Sequence, residues 1–141
     1  MGGAMSRNKG KRGERGVIDL LQPVVTEVYA LFEKDAPKLK RNTLQSDGSG
    51  SDIAGLPWAA IEVKNQEVLQ LERWWQQTLE QAGYDKEPIL FYKRNHIDWN
   101  VRMFGMLGMP SCSFTVPVIV KVPDFLAWFR LRLTQELQNE V

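Results

Sequence analysis

From Val17 to Phe32 the apolar residues Val17, Leu20, Leu21, Val24, Val25, Val28, Leu31 and Phe32 recur at three- and four-residue spacings, which draws one stripe along a helix. So long a stripe needs a broad apolar surface to cover it, and short β-type runs further along the chain supply one. The spacing predicts a first helix from about Gly13 to Glu33, bent at Pro23 and ended by Asp35-Ala36-Pro37. Residues 39–44 read as a short strand and residues 45–51 as a polar Gly/Ser loop. Residues 52–57, with Gly55 and Pro57, suit a turn that forms a hairpin with a strand over 58–64. A second helix spans about 69–82, with Leu71, Trp74, Trp75, Thr78, Leu79 and Ala82 on one face and Gly83 as its stop. Strands follow at 88–93, 99–104 and 116–121, and Pro123 opens a third helix with Phe125, Leu126, Phe129, Leu133 and Leu137 as its buried face. The order α-β-β-β-α-β-β-β-α predicts an α/β sandwich around a mixed sheet.

Composition narrows the chemistry. The chain has 141 residues, which suits one domain. Its 5 Trp, 3 Tyr and 6 Phe argue against disorder. One Cys and one His exclude an internal disulfide and a Cys/His zinc site, so any metal must be held by oxygen. No apolar run approaches a membrane span and no signal region follows the N-terminus, so a soluble, cytoplasmic protein with no membrane partner is expected. The balance of 18 Lys+Arg against 17 Asp+Glu hides a polarised chain. Arg7, Lys9, Lys11, Arg12 and Arg15 crowd around Glu14, with further basic clusters at Lys38/Lys40/Arg41 and at Lys93/Arg94/Arg102. Such clusters attract phosphate backbones, although a short basic terminus can equally serve solubility. Residues 1–12 are expected to be a basic, flexible tail and residues 13–141 the folded domain.

The triplet Glu62-Val63-Lys64 is the strongest candidate for chemistry. Strand geometry puts Glu62 and Lys64 on one face, about 6.6 Å apart, with Ile61 and Val63 on the other. Should Asp52 lie on the neighbouring strand, its carboxylate converges with that of Glu62. Two carboxylates and a backbone carbonyl favour Mg²⁺ or Mn²⁺. A cross-strand ion pair would explain the triplet without any function. Glu14 continues the buried stripe of the first helix and offers a third carboxylate, unless it serves only the dipole of a first turn. Arg41, ahead of the flexible loop, is a candidate phosphate contact, and Gln77 and Gln81 lie along an edge of the second helix where they can support a site. His96 reads as a surface residue, Cys112 as inert, and Trp74/Trp75 as packing.

Lys11-Arg12-Gly13-Glu14-Arg15 opening a helix, then Gly50-Ser51-Asp52-Ile53 and Ala60-Ile61-Glu62-Val63-Lys64, resemble the PD-(D/E)XK nuclease superfamily. The similarity covers about residues 7–104 and is nearest to archaeal-type Holliday junction resolvases and their phage-encoded relatives. It implies the restriction-endonuclease-like fold, a central mixed sheet flanked by helices. It also implies a homodimer and Mg²⁺-dependent phosphodiester hydrolysis, with Mn²⁺ substituting and no small-molecule cofactor. Glu14, Asp52, Glu62 and the Val63 carbonyl would bind metal, and Lys64 would be the catalytic lysine. Ser51 stands where the motif's proline would be. A phage-encoded enzyme of this kind would work in the host cytoplasm on four-way or other branched DNA, with Arg7, Lys9, Lys11, Arg12, Arg15 and Arg41 on the phosphates. Two alternatives are a nuclease of the same fold acting on linear or nicked DNA, and a non-catalytic DNA-binding module. The apolar residues Met106, Leu107, Met109, Phe114, Trp128 and Phe129 offer a surface for the dimer, with core packing as the alternative for each of them.

Overall fold

The structure is a computed structural model that describes residues 2–42 and 51–140, with side chains from residue 9 onward. The expected loop at 45–50, the end of the first expected strand and the side chain of Arg7 lie outside the described residues. The elements, in chain order, are α1 (Gly2–Leu31), β1 (Lys40–Arg41), β2 (Ile53–Ala54), β3 (Ala59–Asn65), α2 (Leu71–Ala82), β4 (Glu87–Lys93), β5 (Asn100–Met109), β6 (Cys112–Lys121) and α3 (Val122–Asn139). This is the expected order.

β3, β4, β5 and β6 form the main sheet in that order, and β1 pairs with β2 in a small antiparallel ladder. β3 runs parallel to β4, with Glu62 opposite Leu90 and Lys64 opposite Tyr92. Parallel neighbours need a crossover, and α2 provides it. The residues of β4 from Pro88 to Tyr92 are all buried, as a strand covered on both faces requires. Ile89 and Phe91 join Val17, Leu21, Val25 and Val28 of α1 and Phe125, Phe129 and Leu133 of α3 in the larger core. Leu90 and Tyr92 turn to the other face, under Trp74 and Trp75 of α2. The sheet therefore carries α1 and α3 on one side and α2 on the other.

Several expectations need correction. α1 begins at Gly2 instead of near Gly13, so the segment expected as a tail is helical. Lys and Arg are good helix formers, and a helix already packed by its apolar stripe extends through them at little cost. Pro23, where a bend is expected, lies inside this helix. β2 pairs with β1, not with β3 as the expected hairpin required, although Asp52 still reaches β3 through its backbone. β5 and β6 are each longer than expected and form one ribbon turning at Pro110-Ser111. The stretch Gly105-Met106-Leu107-Gly108-Met109 lacks the alternation that marks a half-buried strand, because no helix covers it. Phe129, expected on a dimer surface, is fully buried, and Trp128 is half-buried against Trp58 and Phe125. Among the described residues no helix is long and apolar enough to cross a membrane.

Candidate active site

β3 is an edge strand of its sheet, and its free edge is met by the segment around Asp52. The Asp52 N–H donates to the Ile61 carbonyl at 2.9 Å, and the Val63 N–H donates to Asp52 Oδ2 at 2.7 Å. In an extended strand the N–H and C=O of one residue point to the same edge, so the Val63 carbonyl lies on this edge too. The turn that presents Asp52 is held locally. Ser51 Oγ donates to the Ile53 carbonyl at 3.3 Å, Asn42 Nδ2 donates to the Ser51 carbonyl at 2.9 Å, and the Asn42 N–H donates to the Asp52 carbonyl at 2.9 Å. Ser51, in the place of the motif's proline, thus stiffens the turn by a hydrogen bond where proline would do it by its ring.

Asp52 and Glu62 are brought together as buried carboxyls, 9% and 8% exposed. Burial, the negative charge of Asp52 and a hydrogen bond between the two groups push Glu62 up to about 9, against the pull of the Lys64 ammonium. At neutral pH Glu62 therefore holds its proton.

Glu14 approaches from α1. It lies well inside that helix, whose first turn holds no acidic residue, so the helix dipole does not explain it. A Cβ on Gly13 would sit 3.4 Å from Asn65 Cβ, Val63 Cγ1 and the Trp99 ring, so an alanine would just touch them, and α1 lies close against β3 here. Arg41 Nε donates to Glu14 Oε2 at 2.6 Å, in an ion pair that is largely shielded from water. Burial raises the Glu14 pKa in spite of that hydrogen bond, the Asp52 charge raises it further, and Arg41 and Lys64 oppose the rise. Glu14, Asp52, Glu62 and Lys64 are therefore within electrostatic reach of one another, as their order in the sequence suggested.

Arg41, proposed from the sequence as a phosphate contact, is the counterion of Glu14 in this structure. Lys11, Arg12 and Arg15 are exposed on α1 to either side of Glu14, and Lys9 is half-buried. Gln77 and Gln81 are half-buried on α2, the helix on the same face of the sheet as Glu62 and Lys64. The third basic cluster does not gather. Lys93 lies over the Trp99 ring at 4.7 Å, Arg94 donates to the Glu67 carbonyl, and Arg102 pairs with Glu72 over Trp75. His96 is exposed in a turn at φ 61° and Trp74 and Trp75 are buried, as expected, and Cys112 is exposed. No motif or spacing pointed to Asn65, whose Oδ1 is buried beside α1 with no hydrogen-bond partner among the described residues.

Among the described residues no three His, Cys, Asp or Glu side chains are gathered closely enough to enclose an ion as they stand, and Glu14 is drawn toward Arg41. The donor set nevertheless fits a hard divalent cation. Two carboxyls pressed together in a buried site repel one another when both are ionised, and a divalent cation between them would remove that cost.

A mixed sheet with helices on both faces, a Glu-x-Lys on its edge strand and an aspartate bonded to that strand make up the arrangement of the PD-(D/E)XK nuclease superfamily. The match extends to a particular family. The one described as "Phage putative PDDEXK endonuclease" matches residues 5–105, and the chain belongs to it. No curated protein and no solved structure matches the chain.

Proposed function

We propose that this member of the family is a divalent-metal-dependent, structure-selective DNA endonuclease whose substrate is branched DNA, above all a four-way junction. The observation that carries the metal-dependent reading is the buried Asp52–Glu62 carboxyl pair with Lys64 on the same face of β3. A protein that only binds DNA gains nothing from buried acids facing a polyanion, because unshielded carboxylates repel phosphates. The choice of branched DNA rests on the likeness of the three motifs to junction resolvases.

Asp52, Glu62 and the Val63 carbonyl would hold Mg²⁺, with Mn²⁺ able to substitute, and Glu14 would complete the set on leaving Arg41. The bound ion would supply Lewis-acid stabilisation of the transferring phosphoryl group. Glu62 would have to be ionised to hold the ion, so binding would release the proton that burial keeps on it. Lys64 sets its ammonium beside the scissile phosphate, where negative charge grows as water attacks phosphorus. The bond from phosphorus to the leaving sugar oxygen breaks, and that oxygen ends protonated. Lys11, Arg12 and Arg15 offer exposed charge to the neighbouring phosphates.

The test is cleavage of a four-way junction, a nicked duplex, a linear duplex and a single strand, each in Mg²⁺, in EDTA and with Glu62→Ala. Cutting of the junction ahead of the other substrates, lost in EDTA and in the variant, is the expected result. Equal cutting of linear duplex would replace the junction by the linear-DNA alternative, and cutting in EDTA would remove the metal.

A further inference from the structure

We propose that Arg41 is a positioning residue that holds Glu14 away from Asp52 and Glu62 until a DNA phosphate takes the guanidinium, so that metal and DNA each help the other to bind. The inference rests on the proposed reading of Glu14, Asp52 and Glu62 as metal ligands, and it names what regulates the first of them.

The two ends of the ion pair face different ways. The Arg41 side chain is 25% exposed and that of Glu14 only 12%. The cation is thus the end that an arriving anion meets, while the carboxylate lies inward, where the charges of Asp52 and Lys64 act on it. Lys11, Arg12 and Arg15 are exposed on α1 to either side of Glu14 and draw a phosphate backbone to the same place. The pair is also made by one hydrogen bond, from Arg41 Nε to Glu14 Oε2, and not by the two-pronged contact of which a guanidinium and a carboxylate are capable. A phosphate that engages Nε and a terminal amino group together offers Arg41 two bonds in place of one.

Both partners stand on fixed backbone. Arg41 is paired with Ile53 in the β1–β2 ladder, and its neighbour Asn42 donates to the Ser51 and Asp52 carbonyls, so the segment that presents Asp52 also places Arg41. Next to Glu14, Gly13 lies close against Val63 and Asn65 of β3. The exchange of partners therefore belongs to the two side chains. Each half of it is unfavourable alone, because parting the pair leaves one shielded charge without a counterion. When a divalent ion receives Glu14 and a phosphate receives Arg41, neither charge is left alone. Two ligands that must part the same ion pair favour each other, by one factor in both directions. With Glu14 on Arg41, no three acids among the described residues are gathered to enclose an ion.

Two double-mutant cycles on the full chain at pH 7.5 test this, using Arg41→Met, Glu14→Gln and the two together. The first reads Mn²⁺ affinity without DNA, from the loss of the free ion's electron paramagnetic resonance signal. Arg41→Met is expected to bind Mn²⁺ about tenfold more tightly than wild type, and the same change made in Glu14→Gln is expected to bring no such gain. The second reads affinity for a four-way junction in EDTA. Glu14→Gln is expected to bind it about fivefold more tightly than wild type, and to lose that gain when Arg41 is also replaced. Removal of a charge by itself acts alike in both backgrounds, as does a merely structural role. Equal effects in the two backgrounds of either cycle, or no Mn²⁺ bound by Arg41→Met, would therefore overturn the proposal. Where circular dichroism shows Arg41→Met unfolded, Arg41→Gln takes its place with the same expected and overturning results. Cleavage by wild type in Mg²⁺ is read separately. Cutting together with equal effects refutes the role of Arg41 alone, and both cycles as expected with no DNA cut refutes the nuclease alone.

Discussion

Replacing Glu62 by glutamine is expected to stabilise the metal-free protein at pH 7.5 while abolishing cleavage. Folding raises the Glu62 carboxyl from an ordinary 4.5 to about 9, first by burial and then by the charge of Asp52 and the bond between the two groups. Between those values the folded chain holds a proton that the unfolded chain has released. The group's contribution to stability is therefore whole below about pH 4.5 and is lost as pH rises toward 9. Each unit corresponds to about 1.4 kcal/mol, so the three units up to pH 7.5 set a ceiling of about 4 kcal/mol. Water relaxes around the open edge of β3, so about half of that, roughly 2 kcal/mol, is the expected gain. Glutamine keeps the geometry, since its amide N–H can donate to Asp52 as the protonated Glu62 does, and it has nothing to titrate. Thermal unfolding in EDTA, followed from pH 4.5 to pH 9, should show a variant that melts about 6 °C above wild type at pH 7.5 and level with it near pH 4.5. A variant no more stable than wild type at pH 7.5, or a gap that does not change with pH, would refute the strained carboxyl pair.

The remaining predictions concern the metal, the ion pair and the basic helix. Millimolar Mg²⁺ should stabilise wild type by about 1.4 kcal/mol at ten times the dissociation constant, read as a higher melting temperature, and should leave Asp52→Asn unmoved; equal shifts would mean that Asp52 holds no metal. Asp52→Asn should also lose cutting in Mg²⁺ while binding DNA as well as wild type or more tightly in a gel-shift assay, and robust cleavage by it would sink the site. Arg41→Met leaves Glu14 buried without its counterion and should cost about 1–3 kcal/mol at pH 7.5, less near pH 4 where Glu14 is protonated; an unchanged melting curve would show the pair to be idle. Removing Arg7, Lys9 and Lys11 together should flatten the slope of log K for DNA against log salt by up to about 0.9 for each phosphate no longer neutralised, and an unchanged slope would assign them to solubility.

The sequence by itself determined what repeats at a fixed period. The stripe from Val17 to Phe32, the buried run 88–93 and the face of Phe125, Phe129, Leu133 and Leu137 each needed an apolar partner, and the order of elements followed from them. Glu62 and Lys64 were legible as one strand face because alternation is local, and Asp52 and Glu14 because they sat in recognisable motifs ahead of it. The tertiary structure decided everything that depends on distant partners. Arg41 became the counterion of Glu14 only because folding set β1 beside α1, and no spacing encodes a contact across twenty-seven positions. Leu107 is as apolar as the core residues yet lies in solvent, because α3 covers the base of the ribbon and no described residue covers its tip. The protonation of Glu62 belongs to the same class. A carboxyl's charge is set by the water and the charges around it, and those were fixed only when Asp52 closed on the edge of β3.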